Sequence, residues 1–153
     1  MRLEEAAAAA LAAMLPSPGD GTLPADQRLR EFFRRHPALG KRDRLQIADW
    51  AFDVLRNLRL YREVACRERF AGSTAPDETR ELIDVARAVA GVSDHDRIAH
   101  MAGQLPAAIR FSLPDWLWER LEAAHGERAE AIAQALLQPS PIDLRANLLV
   151  GKA

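Results

Sequence analysis

Apolar residues recur at three- and four-residue spacing along most of this chain, in blocks separated by proline and glycine. The first block, residues 2–15, predicts a helix stopped by Pro16, Ser17, Pro18 and Gly19. A second helix is predicted over 24–36, with Pro24 in its first turn, Leu29, Phe32 and Phe33 as its apolar stripe, and Pro37 at its end. Gly40 then reads as the N-cap of a long third helix, with Asp43 three residues on in a capping-box-like position. That helix is expected to bury Ile47, Ala51, Val54, Leu55, Leu58 and Tyr61 and to turn Asp49, Asp53, Arg56 and Asn57 outward. A polar loop at 71–76 leads to a fourth helix, ELIDVARAVA, ended by Gly91. Residues 94–110 read as helix broken near Gly103 and Pro106. SLPD, residues 112–115, fits a capping box and opens a helix carrying Trp116, Leu117, Leu121 and Ala124, closed by Gly126. The next helix carries Ala129, Ile132, Ala133, Leu136 and Leu137, and Pro139 and Pro141 end it.

The period changes after that. Ile142, Leu144, Ala146 and Leu148 alternate with Asp143, Arg145 and Asn147, which is the spacing of a strand. A single strand has no ladder partner and is not stable alone. The pattern therefore leads us to expect a chain that stops just inside a second domain; an extended tail, or a strand completed by another subunit, is the alternative.

Composition adds a charge asymmetry. The 153 residues suit one domain with a proper core, and the formal net charge is only −1. Residues 28–69 nevertheless carry +6 and the remainder −7. A basic region set in an acidic remainder points to one polyanion-facing surface. With a single cysteine, Cys66, no intrachain disulfide can form, which fits a reducing, cytoplasmic setting. No apolar run reaches the roughly 18 residues of a membrane span, and Glu4 and Glu5 argue against a signal peptide in the Ala-rich start.

The basic region centres on LGKRDRLQIADWAFDVLRNLRLYR, residues 39–62. Lys41, Arg42 and Arg44 flank the helix start, the positive end of its dipole, where cations cost stability unless an anion lies nearby. A phosphate backbone is one such anion; neutralisation by Asp43 and Asp49 is the plainer alternative. On a continuous helical wheel Arg44, Arg59 and Arg62 share one flank of the apolar face. Trp50, Phe52 and Tyr61 lie in the same helix and are expected in the core rather than stacked on bases, and at least one of Trp116 and Trp118 is expected to anchor packing.

Catalytic chemistry is not evident. No Gly-rich loop follows a strand, so no nucleotide cradle is seen. Cys66 has no histidine close in sequence and reads as a core residue. His95 and His100 are too poorly spaced on a helix to suggest a metal pair.

Two segments together carry a family resemblance. Residues 39–62 resemble the helix of the NusB-like domains at the front of bacterial ribosomal RNA cytosine-5 methyltransferases, the Fmu/Sun family. SLPDWLWERL and the PIDLRANLL that follows it resemble the stretch just before the catalytic domain of those enzymes. Pro114, Asp115, Trp116 and Leu117 match the first element of that stretch, and Pro141, Leu144, Arg145, Asn147 and Leu148 the second. Lys41 departs from the small polar cap usual there, and LLVGKA from the usual continuation.

The resemblance implies an all-α, NusB-like helical RNA-binding domain over 1–138, followed over 139–153 by a linker and the first strand of a truncated α/β subdomain. It implies that the parent enzyme uses S-adenosylmethionine and a cysteine preceded by proline. Cys66 follows Ala65, does not match, and is given no catalytic role. No cofactor, metal or catalytic residue is expected on this chain. The implied partners are ribosomal RNA and the chain's own C-terminal catalytic domain, with no membrane. The implied RNA contacts are Arg34, Arg35, Lys41, Arg42, Arg44, Arg56, Arg59 and Arg62, acting on phosphates through paired guanidinium donors. The alternative is a NusB-like protein-interaction module in a transcription or ribosome-associated complex.

Overall fold

The Ala-rich helix α1, Leu3–Met14, runs through the middle of the molecule. It packs on α2 (Ala25–Arg35), α3 (Lys41–Arg56) and α5 (Glu78–Ala90). Ala6, Ala7 and Ala10 are fully buried, and side chains this small let three neighbouring backbones approach one helix. Leu11 and Met14 complete its buried surface. Glu5 reaches back to accept the Arg2 amide at 2.9 Å, and Leu15, in extended conformation, stops the helix. The computed structural model describes residues 2–15, 23–69 and 77–138. Among these every regular element is helical, so the all-α expectation is borne out there. The alternating segment 142–148 lies outside the described residues.

Around α1 the core is built from Leu29 and Phe32 of α2, Ile47, Ala51 and Val54 of α3, and Tyr61, Val64 and Ala65 of α4 (Leu58–Arg69). Leu82, Ile83, Val85 and Ala86 of α5 and Ile98 of α6 (Val92–Gly103) close it. Trp50 and Phe52 pack against this core half-buried, and Arg87 of α5 lies 5.5 Å from the Trp50 ring centre while pairing with Glu4 at 3.2 Å. Helix α5 starts earlier than its apolar pattern suggests. Asp77 caps it, accepting from the amides of Thr79 (3.1 Å) and Arg80 (3.4 Å).

Several expectations are corrected. The long third helix is not continuous. It breaks at Asn57, whose side-chain amide donates to the Asp53 carbonyl and carboxylate, both at 3.1 Å. Asparagine competes locally for backbone groups in this way, which makes it a poor helix interior. Asp53 and Asn57 are half-buried rather than outward, because Asp53 also accepts the Tyr61 hydroxyl at 2.7 Å. Cys66 is exposed, because α4 turns Tyr61, Val64 and Ala65 to the core and Cys66 lies off that face.

Beyond α6 the chain forms a smaller arm. It consists of α7 (Ala107–Arg110), α8 (Asp115–His125), one 3-10 turn (Gly126–Arg128) and α9 (Ala129–Leu136). Leu105, Ala108, Phe111, Ala129 and Ala133 are its buried residues. Trp118 stacks on Phe111 with ring centres 5.8 Å apart and is the packing anchor, whereas Trp116 is 59% exposed. Gly126, at φ 51°, closes α8 in the left-handed region. The SLPD capping box does not form: α8 begins after Pro114 with no side-chain cap. Ser112 adopts φ 51°, an uncommon conformation for serine, and its hydroxyl is engaged elsewhere.

Candidate nucleic-acid interface

The end of α2, the turn 36–40 and the start of α3 form one corner of the molecule. His36 closes α2, its Nδ1 lying 2.8 Å from the Phe32 carbonyl oxygen and its ring stacked on Phe32 at 4.2 Å. Gly40 opens α3, and its amide donates to Asp43 at 3.3 Å. Five of the eight sequence-predicted cations meet at this corner. Arg34 and Arg35 sit in the last turn of α2, where the dipole favours them, and both bridge Glu31, Arg35 at 3.0 Å. Lys41 and Arg42 are exposed in the first turn of α3 and have no partner among the described residues. Arg44 donates Nε–H to the Leu39 carbonyl at 2.9 Å and holds its guanidinium 5.7 Å from the Phe33 ring centre. None of these three is ion-paired among the described residues. Asp43 serves the Gly40 amide, and neither Asp43 nor Asp49 pairs directly with these cations among the described residues.

Beside these cations lies a depression of about 510 Å³ lined by Phe33, Leu39, Lys41, Arg44, Leu45 and Ala48. Leu45 is 58% exposed on its rim. Leu45 is not among the residues expected at the site; its signal in the sequence is an apolar residue on the polar side of a predicted helix.

The other three predicted cations are elsewhere. At 1.5 Å rise per residue, Arg56 is roughly 22 Å along α3 from Lys41, and it is exposed at the helix end that favours a cation. Arg59 bonds the Leu113 carbonyl and pairs with Asp115 at 2.9 Å, and Arg62 pairs with Glu78 at 2.7 Å. The flank these residues share with Arg44 on a continuous wheel is lost at the Asn57 break.

A second cleft, about 590 Å³, separates the bundle from the arm and is lined in part by Asp53, Asn57, Tyr61, Arg110, Glu130 and Gln134. Its charges answer one another: Arg110 pairs with Glu130, and Asp53 accepts from Tyr61 and Asn57. Burial, then the Asp53 hydrogen bond and charge, pushes the Tyr61 hydroxyl well above its usual ionisation range. No group of three or more His, Cys, Asp or Glu able to hold a metal occurs among the described residues, and no helix there is long and apolar enough to cross a membrane.

Comparison with known proteins bears on the arm. Residues 113–153 match the family model described as Methyltr_RsmF/B-like, ferredoxin-like domain. Ribosomal RNA small subunit methyltransferase B of Xylella fastidiosa is 55% identical over 38 residues, which are 25% of this chain and 9% of that enzyme. The matched stretch thus spans a small part of that relative's length. No solved structure matches. Pro114–Leu117 and residues 141–148 lie within the residues that the family model matches, and the resemblance to ribosomal RNA methyltransferases is borne out. Over this C-terminal region the chain is similar to ribosomal RNA methyltransferases of the RsmF/B-like, Fmu/Sun kind.

Proposed function

We propose that residues 1–138 are the NusB-like, RNA-binding helical domain of an S-adenosylmethionine-dependent ribosomal RNA (cytosine-5) methyltransferase. Residues 139–153 would be the linker and first strand of its small α/β subdomain. The observation that carries this reading is the set of three cations, Lys41, Arg42 and Arg44, held at the positive end of α3 without carboxylate partners among the described residues. Each unpaired cation there costs about 0.5 kcal/mol in the absence of an anion, and a phosphate backbone supplies that anion. Arg34 and Arg35 extend the same corner. Arg56 is a peripheral contact, and Arg59 and Arg62 contribute less because their guanidinium groups are already engaged. Such contacts fix where RNA lies without reading its sequence.

The described residues offer no strand–glycine-loop–helix unit, so they do not fit S-adenosylmethionine. Methyl transfer by the parent enzyme is assigned to a separate catalytic domain.

A fluorescent ribosomal RNA fragment titrated with this chain at two salt concentrations tests the proposal. Three neutralised phosphates on a single strand imply a log–log salt slope of about −2. The Lys41→Ala/Arg42→Ala/Arg44→Ala variant should lose that slope and most of the affinity at low salt, with its thermal midpoint not lowered. Unchanged binding by the variant removes this corner from the interface. Failure of the unaltered chain to bind at low salt favours the second reading, a protein-interaction surface, for which the exposed Leu45 and the apolar depression beside it speak.

A further inference from the structure

Helix α8 buries no residue completely, and its main packing partners are α7, α9 and the 3-10 turn, all within the arm. Apolar burial against the bundle therefore does not fix its direction. Polar contacts from α4 reach the residues that open the helix. The helix break at Asn57 makes Leu60 a first-turn residue of α4, with an amide that lacks an intrahelical acceptor. Ser112 supplies the missing acceptor: its Oγ takes the Leu60 N–H at 3.2 Å, a helix cap provided from 52 residues away. Next to it, Arg59 donates one guanidinium nitrogen to the Leu113 carbonyl and the other to Asp115 at 2.9 Å. The left-handed backbone of Ser112 turns the chain so that all three contacts are made together. They straddle Leu113, where the match to the methyltransferase ferredoxin-like domain begins.

We propose that Arg59 and Ser112 form a latch that sets the direction in which α8, and the region it opens, leaves the helical bundle. Arg59 and Ser112 are then positioning residues, and the break at Asn57 is what exposes the α4 amide they use. The inference does not depend on RNA binding.

The test is a distance measurement on the whole chain. One spin label is placed on the native Cys66, exposed on α4, and a second on Ala123→Cys, exposed on α8. Pulsed dipolar spectroscopy should give a single narrow distance distribution. Arg59→Gln with Ser112→Ala should broaden it or move its centre by several ångströms, on the order of a helical turn, while helical content is retained. Arg62→Gln, which removes a comparable bridge between α4 and α5, should leave the distribution unchanged. Asp115→Asn, at a largely exposed position that cannot unfold the bundle, should give part of the broadening and keeps the test decisive if the double variant folds poorly. An unaltered distribution in the double variant, or in Asp115→Asn where the double variant cannot be used, overturns the latch. So would equal broadening by Arg62→Gln.

Discussion

The bundle α1–α6 and the arm α7–α9 are held by different forces. In the bundle, side chains from six helices meet with Leu11, Ile47, Val54, Val64, Leu82 and Ile83 fully buried. In the arm, Leu105, Phe111 and three alanines are buried among the described residues, while Trp116 and Leu136 lie more than half exposed. The Arg59–Asp115 ion pair and the Leu60–Ser112 hydrogen bond tie the arm to the bundle beside the packing of α7 on α4, and Arg110–Glu130 joins α7 to α9 within it. Apolar burial of the first kind gives a cooperative unit, whereas a polar attachment of the second kind opens locally at low cost. The two regions also divide the functional signals. The unpaired cations belong to the bundle, and the family-model match to the arm.

The contrast breaks first in the cores. Leu82→Ala, at a fully buried site, should cost about 3 kcal/mol and lower the urea midpoint of the whole helical signal. Phe111→Ala removes the ring under Trp118 and should cost about 3 kcal/mol by size, but mainly within the arm. Hydrogen exchange should rise across 105–137 while amides of α1 and α5 stay protected, and the tryptophan emission should shift red. Uniform loss of protection in both regions would merge them into one unit.

The Tyr61–Asp53 contact beside the cleft gives a smaller effect. Tyr61→Phe should cost about 1 kcal/mol. The folded-state pKa is raised, so the stability gained by the neutral phenol is full below the unfolded value, about 10, and is lost as pH rises above it. This is the single tyrosine of the chain, so absorbance near the phenolate band should stay flat until alkaline unfolding. A normal titration with the helices intact would contradict the burial.

Smallest is Asp77→Ala, which uncaps α5 at a cost of about 1 kcal/mol. The Thr79 hydroxyl bond, foremost, holds the Asp77 carboxyl below its usual range. Its contribution is present above the unfolded value and disappears as pH falls through the folded one. Thermal melts of the two proteins should therefore converge in acid.

Periodicity made most of the helices readable, because apolar spacing and the stops at Pro16, Pro37, Gly91 and Gly126 are local signals. What stayed hidden was long-range. Nothing near Ser112 shows that its hydroxyl answers Leu60, so the SLPD segment looks like a capping box. Arg59 and Arg62 look like members of a basic flank until Asp115 and Glu78 arrive from other helices. The corner at Arg34–Arg44 was more legible because helix, turn and helix are contiguous. Asn57 was a readable helix-breaker in composition, but the apolar pattern runs on through it and masks the break.

The position of α1 has a consequence for synthesis. The helix made first among these elements lies at the centre, and its neighbour α5 ends 76 residues after it. At ordinary translation rates roughly 4–15 s separate the two. During that interval α1 has no completed surround, and its alanines, strong helix formers with little apolar area, favour its helix without making it adhesive. The bundle can close only when α5 emerges, so the nascent chain acquires its basic corner before it acquires its core.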